Sequence, residues 1–320
     1  MSKNKEKKSK IVVIGGGTGV FTVLSGLRKY PVDLTAIISM ADDGGSTGVL
    51  REEFGILPPG DVRRALVALA AADNKIVSEL FNYRFSEGGF KNHVFGNILL
   101  TALERLTGSF ERALEEAGKI LSAEGRVIPV TLASVRLAAR LEDGTVIRGE
   151  TNIDIPKHDS SLRIEKVWLE PKARANTSAK KAIANADLVV IGPGDLFTSV
   201  IPNLLVTGIP RAIRESKAKK VYVVSTMTKA GETNGFRASD YLRELETYLG
   251  KGVLDYILLN SKKPPAPRLV KYKKEGKEIV EPGDLPPRPK AISGNHIRAT
   301  GYIRHDPARL AKALMALFYI

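Results

Sequence analysis

The sequence predicts a doubly wound, mostly parallel α/β sheet of Rossmann-like type, with a helical block and an antiparallel β insertion. Three observations predict it: short apolar runs recur, several of them end in glycine or polar loops, and stretches of helical spacing lie between them. Lys10 to Ile14 runs into Gly15-Gly16-Gly17-Thr18-Gly19, Leu34 to Ile38 into the stretch Met40 to Asp61, and Ala186 to Ile191 into Gly192-Pro193-Gly194-Asp195. In such a sheet the carboxyl ends of the strands share one edge, so loops far apart in sequence converge on a ligand cleft.

After the first glycine run, Val20, Phe21, Val23, Leu24 and Leu27 stand at helical spacing. Strand, glycine loop and helix in that order set free amides and the positive end of a helix dipole against an anion, so Gly16, Gly17, Thr18 and Gly19 are read as a phosphate or nucleotide loop. The loop departs from the dinucleotide fingerprint, because the third glycine falls on Val20, and it lacks the Gly-Lys-Ser/Thr ending of a P-loop. The next strand empties into Asp42 and Asp43, with glycines at 44, 45 and 48. Carboxylates and an amide-rich loop therefore arrive together.

Pro58-Pro59-Gly60-Asp61 reads as a helix entrance with Asp61 as its cap, while Arg63 and Arg64 behind it can reach a phosphate. Helical patterns continue at Ile76 to Phe85, Phe95 to Leu106 and Phe110 to Leu121. His93 and Asn97 share a face if their helix begins early; a lone histidine with no second ligand in register reads as structural.

From Arg126 the pattern changes to short alternating runs, Val127 to Thr131, Arg136 to Leu141, Thr145 to Thr151 and Leu162 to Leu169, with a hairpin signal at Glu142-Asp143-Gly144. Beyond the strand ending at Gly192 come Asp195, Thr198 and Asn203, then a strand Val221 to Val224 whose exit carries Lys229, and a strand Val253 to Leu259. The proline-rich stretch Pro264 to Pro289 reads as a flap whose Tyr272 can cover a ligand. Ile297 to Ile303 is expected to be a strand, Arg304 to close the site over a phosphate, and His305 with Asp306 to cap the last helix. The predicted organisation is a disordered basic tail over 1–9 and a single nucleotide-binding domain over 10–320. Its helical block covers about 61–122, its β insertion about 126–170 and its flap about 262–290.

With 320 residues and 43% hydrophobic content the chain can bury a substantial core. It has no cysteine, which excludes disulfides and thiolate chemistry and suits a reducing cytoplasm. The apolar run after the lysine-rich start is too short for a signal-peptide core, and no run approaches the roughly 20 residues of a membrane span. The net charge of +14 favours anionic partners, but no aromatic interleaving or nucleic-acid motif accompanies it, so nucleic acid is disfavoured.

Taken together, these residues resemble the gluconeogenesis factor family (YvcK-like proteins), relatives of the 2-phospho-L-lactate transferases (CofD-like). The resemblance rests on an ordered set: Gly15 to Gly19, Ala41 to Ser46, Leu57 to Arg63, His93 with Gly96-Asn97, Ala186-Asp187 through Gly194, Thr198-Ser199 with Pro202 to Leu205, Met227-Thr228 with Gly231 to Thr233, and Arg304 to Asp306. It implies a nucleotide or nucleotide-sugar ligand of the UDP-sugar class and a link to cell shape and wall precursor metabolism. The transferase branch implies carboxylates matching Asp43 and Asp61 near a divalent metal. Three positions depart from the family pattern: Asp195 stands where serine is usual, Lys229 where glutamine is, and Asn92 where glycine precedes the histidine.

Two functions follow. One is a non-catalytic nucleotide-sugar sensor, which needs only different affinities for two conformations. The other is a metal-dependent, phospho-group transferase, with Mg²⁺ held by carboxylates. The sensor is preferred, because no acceptor pocket is legible and aromatic residues make up only 6% of the chain. A basic nucleic-acid binder rests on net charge alone. A protein partner and self-association are left open.

Overall fold

The structure, a computed structural model, describes residues 8–319. The first strand, β1 (Ser9–Gly15), is buried on both faces from Ile11 onward, as its unbroken apolar run requires. It leads through Gly16 into α1 (Gly17–Leu27), and β2 (Val32–Ile38) returns parallel to it. Four further strands extend the sheet on the other side: β7 (Leu188–Ile191), β8 (Lys219–Val223), β9 (Tyr256–Asn260) and β10 (Lys290–Gly294). The seven-stranded order is β10-β9-β8-β7-β1-β2-β3, with β3 (Arg126–Pro129) at the far edge, and every pairing is parallel. Strand order reverses between β1 and β7, and that reversal opens a crevice at the carboxyl edge.

The helical block comprises α2 (Gly45–Phe54), α3 (Pro59–Leu69), α4 (Lys75–Asn82), α5 (Phe95–Thr107) and α6 (Phe110–Ile120). A separate antiparallel sheet, ordered β5-β4-β6, is made by β4 (Arg136–Leu141), β5 (Val146–Arg148) and β6 (Ile164–Glu170). Between β5 and β6 lies a one-turn helix, α7 (Glu150–Asp154).

Several boundaries differ from the sequence reading. Arg126–Pro129 does not open the antiparallel insertion; it pairs in parallel with Thr35 to Ile38 as a sheet edge. Of the predicted basic tail, residues 1–7 lie outside the described residues, while Ser9 pairs with Val32 inside β1. The expected strand at Ile297 to Ile303 is replaced by β10 just before it, and only an isolated Ile297–His305 bridge remains. Within the proposed flap the chain forms a helix, Ala266–Lys274, none of whose residues is buried.

Candidate functional site

A cleft of about 630 Å³ lies at the carboxyl edge of the sheet, where the loops after β1, β2, β7 and β8 meet. Gly16, Gly17, Thr18, Gly19, Asp42, Gly44, Asp61, Arg63, Asn97, Gly194, Asp195, Lys229 and Arg304 line it, so most of the predicted site residues converge there. Two glycine loops touch at its floor: a Cβ on Gly19 would stand 1.8 Å from the Pro193 carbonyl oxygen, so no larger residue fits. Gly192 itself has φ +72 and turns the chain beneath this contact.

The acidic side is assembled from three separate segments. The Asp61 Oδ2 atom accepts a hydrogen bond from the Gly17 amide at 2.8 Å. Asp61 thus caps α1, not its own helix α3, and occupies the amide that the sequence reading reserved for a ligand phosphate. Asp42 accepts from the Gly44 amide at 3.0 Å, and Arg51 fixes its loop by donating to the Asp42 carbonyl at 2.7 Å and the Val135 carbonyl at 2.8 Å. Burial, and then the neighbouring Asp61, push the Asp42 carboxyl up to about 6. Asp61 is likewise raised by burial.

Asp43 does not line the cleft. Its carboxylate accepts from the Glu150 amide at 3.2 Å and the Thr151 amide at 2.9 Å, capping α7. This brings Glu150 and Asp154 into the cleft wall, and the sequence reading missed both. The extended reading of Thr145 to Thr151 hid the helical turn that aims them. Burial, followed by Asp42, Asp154 and Asp61, raises Glu150 to about 9, so it holds its proton at neutral pH.

Asp154 also meets Lys229 and, through it, Asp195. Lys229 Nζ lies 2.7 Å from Asp154 Oδ1 and 3.8 Å from Asp195 Oδ2. Lys229 therefore offsets the charge of both carboxylates, Asp154 more closely than Asp195. Asp154, Asp195 and Glu232 offer carboxylate oxygens within 4.8 Å of one another, but the Lys229 ammonium is among them. Asp42 and Asp61 are two further carboxyl groups on the same cavity, and Asp61 Oδ2 is already engaged by the Gly17 amide. Asp43 does not belong to that set. Asn92 has φ 70, a conformation asparagine tolerates better than most residues.

The remaining predicted residues have internal roles. Arg63 donates through Nε to Asn97 Oδ1 at 3.0 Å and through Nη1 to the Phe81 carbonyl at 3.2 Å and to Asn82, so two of its three nitrogens hold α4 and α5 together at the edge of the cleft. Asn97 donates to Ser46 Oγ at 3.3 Å, and His93 Nδ1 lies 3.3 Å from the same oxygen. Thr198 donates to Glu232 Oε1 at 3.0 Å and Asn203 to the Ser199 carbonyl at 3.0 Å. Thr198, Asn203 and Gly192 stand behind the cleft, because the turn after β7 packs their side of the chain against the sheet.

Another wall is aromatic and mostly basic, with Lys271, Tyr272, Lys277, Tyr302 and Arg304 at the cavity beside Glu275, which pairs with Lys277 at 2.8 Å. Arg304 lies over the Tyr302 ring at 5.2 Å. His305, expected as a cap, joins this wall, while Asp306 alone caps the last helix by accepting from the Arg309 amide at 2.9 Å.

A doubly wound α/β sheet with a cleft at its carboxyl edge defines the class, and the family model described as 2-phospho-L-lactate transferase CofD matches residues 11–296, so the chain belongs to that family. Within it, the chain is 45% identical over 314 residues to a Nostoc protein named "Putative gluconeogenesis factor", covering 96% of this chain and 68% of that protein. It is 41% identical over 319 residues to the Halalkalibacterium halodurans "Gluconeogenesis factor", covering 97% and 96%. A crystal structure of a Bacillus halodurans protein superposes with a TM-score of 0.90 at 40% identity, covering 97% of this chain and 100% of that one. Among the described residues no helix is long and apolar enough to cross a membrane.

Proposed function

We propose that the chain is a cytoplasmic, non-catalytic binder of a nucleoside-diphosphate sugar of the UDP-sugar class, acting as a gluconeogenesis factor that affects cell shape and wall precursor metabolism. The observation that carries this reading is the meeting of both signs of charge in the cleft at the carboxyl edge of the sheet. Carboxyl groups of Asp42, Asp61 and Asp154 line the cleft together with Lys271, Lys277 and Arg304. Lys229 pairs with Asp154 at 2.7 Å and Glu275 with Lys277 at 2.8 Å, which leaves Lys271 and Arg304 as the cations for an anion. Phosphates suit the basic wall as charge-assisted acceptors, and ligand hydroxyls suit the carboxylates as donors. The cleft volume falls in the roughly 300–1,000 Å³ range of small-molecule sites.

The sensor is favoured over the transferase because Asp43, one of the two carboxylates the transferase branch implies, is engaged with the amides of Glu150 and Thr151. The transferase reading keeps one support, the Asp42 and Asp61 carboxylates in the cleft, which could hold Mg²⁺.

Isothermal titration of UDP-glucose with EDTA and with Mg²⁺ separates the two. Binding should persist in EDTA, and Arg304→Ala should weaken it by about 1.5–3 kcal/mol, the range for hydrogen bonds to charged groups. Arg304→Lys should recover only part, since a point charge does not replace a planar fork. Binding that requires Mg²⁺ and ignores Arg304 would favour the transferase.

A further inference from the structure

We infer that the helix Ala266–Lys274 and the loop 298–304 move as one hinged wall of the cleft, and that Arg268 is the positioning residue that makes Arg304 follow the helix. No residue of this helix is buried, so its attachment to the rest of the molecule is polar. Arg268 supplies most of it. One guanidinium nitrogen donates to the carbonyls of Arg298 and Ala299, both at 3.0 Å, and the other to those of Gly301 at 3.0 Å and Tyr302 at 3.4 Å.

Two further contacts bind the same pair of segments. The Ile303 amide donates to the Tyr272 hydroxyl at 2.8 Å, and Lys271 stands over the Tyr302 ring at 5.5 Å, the ring that also carries Arg304. Helix and loop therefore form one unit. Lys271, Tyr272, Tyr302 and Arg304 all face the cavity from it.

The ends of both segments are anchored. The Thr228 amide donates to the Glu278 carbonyl at 2.7 Å, and the Glu278 amide donates to Thr228 Oγ1 at 2.8 Å, fixing the exit of the helix segment. The loop is closed at its base by the bond from the Arg298 amide to the Arg304 carbonyl at 3.0 Å. The helix buries no residue. At the end of the loop Ile303 is buried and its carbonyl accepts from the Thr226 hydroxyl at 3.3 Å. The hinge therefore lies at Ile303, and opening the rest of the unit exposes little apolar surface. Closure must then come from the ligand, through the differential contacts that Lys271 and Arg304 make with an anion in the closed state.

The coupling through Arg268 stands independently of what the cleft binds, whereas closure rests on the anion-binding reading. Hydrogen exchange on the full chain without ligand tests the coupling. Arg268→Ala should raise exchange roughly tenfold in both segments, including the Ile303 amide, while β1 and β7 stay unchanged. Arg268→Lys should fall between, and Tyr272→Phe should raise exchange at Ile303 without altering the amides inside the helix. Faster exchange confined to the helix, or to neither segment, overturns the coupling, and the two milder variants decide it should Arg268→Ala fail to fold. Closure is tested on the wild type with UDP-glucose and, separately, inorganic pyrophosphate. Protection of both segments by either probe supports closure, and protection by neither refutes it. Failure of UDP-glucose to bind in calorimetry, with pyrophosphate protecting both segments, removes the nucleotide-sugar reading and leaves the hinged wall standing.

Discussion

The two walls of the cleft are built in opposite ways. The acidic wall is anchored in the sheet: Asp42 follows β2, Asp61 caps α1, and Glu150 and Asp154 are held by the Asp43 cap and Lys229. Its carboxyls are placed where water is scarce, and the result appears as raised pKa values at Asp42 and Glu150. The basic wall hangs on an exposed helix and keeps its cations near solvent. One wall holds position at a cost in stability, and the other gives up burial and keeps freedom to move. The difference teaches that pre-organisation and adaptability are divided between the walls of one site.

Removing acidic groups should therefore stabilise the protein, and the largest effect should come at Glu150. Its folded pKa of about 9 lies above the ordinary 4.5, so the folded state binds the proton more tightly. Its contribution is fully favourable below pH 4.5 and is lost progressively as pH rises toward 9. At pH 7 the cost is on the order of 3 kcal/mol. Glu150→Gln should raise unfolding stability at pH 7, and more at pH 8.5, with little change at pH 4.5. A variant no more stable than wild type at pH 8.5 would break the contrast between the walls.

Asp42→Asn follows the same sign over a lower window. The Asp42 carboxyl, raised from 3.8 to about 6, loses its favourable contribution between those values, so the variant should gain up to about 3 kcal/mol above pH 7 and almost nothing at pH 4. Because Asp42 and Asp61 face each other, the pair titrates together, and Asp61→Asn should also lower the apparent pKa of Asp42. Denaturant unfolding from pH 4 to 8 measures both.

His305, at the edge of the basic wall, should show the reverse dependence. Burial, and then His296, depress it from 6.5 to about 3, so its contribution is fully present above pH 6.5 and is lost as pH falls toward 3. By pH 5 the loss is on the order of 2 kcal/mol. His305→Asn should flatten that acid limb. An unchanged slope between pH 7 and pH 5 would place the titration elsewhere.

Each wall was only partly legible in sequence: Lys271, Lys277 and Tyr302 were missed on the basic side, Glu150 and Asp154 on the acidic one. Strands with unbroken apolar runs, such as Ile11 to Ile14 and Leu188 to Ile191, could be read directly, and so could the glycine loops that follow them, because fully buried parallel strands leave that signature. Asp42 was legible because it follows the apolar run Leu34 to Ile38, and Asp61 because Pro58-Pro59-Gly60 marks a helix entrance. Glu150 and Asp154 were not, since α7 is a single turn whose formation depends on a carboxylate 107 positions away in sequence, Asp43. Gly45–Phe54 was taken as loop because its glycines and Ser-Thr pair are turn chemistry, yet buried Leu50 and Arg51 hold it as a helix. Local propensity was overridden by tertiary contact there. The sheet edges β3 and β10 were misplaced because their short runs look like the strands of an insertion or a flap. Arg268 was passed over as one cation among many, and only the turn 298–302 gives its position meaning.

The smallest effect belongs to Tyr302 and sharpens the contrast from the mobile side. The ring is 60% exposed, so replacing it removes little buried area. Tyr302→Leu should leave unfolding stability within about 0.5 kcal/mol of wild type, as surface substitutions usually do. What it removes is the face on which Arg304 rests at 5.2 Å and Lys271 at 5.5 Å. Exposed cation–π contacts contribute about 0.5–1 kcal/mol, so affinity for UDP-glucose should fall only a few-fold, well short of the loss in Arg304→Ala. In Arg304→Ala the additional change should shrink to what the Lys271 contact contributes, because the ring no longer has a guanidinium to orient. A double-mutant cycle by calorimetry measures this directly. Additive losses would mean that Tyr302 contacts the ligand itself, and the basic wall would then hold a rigid aromatic anchor in addition to its mobile cations.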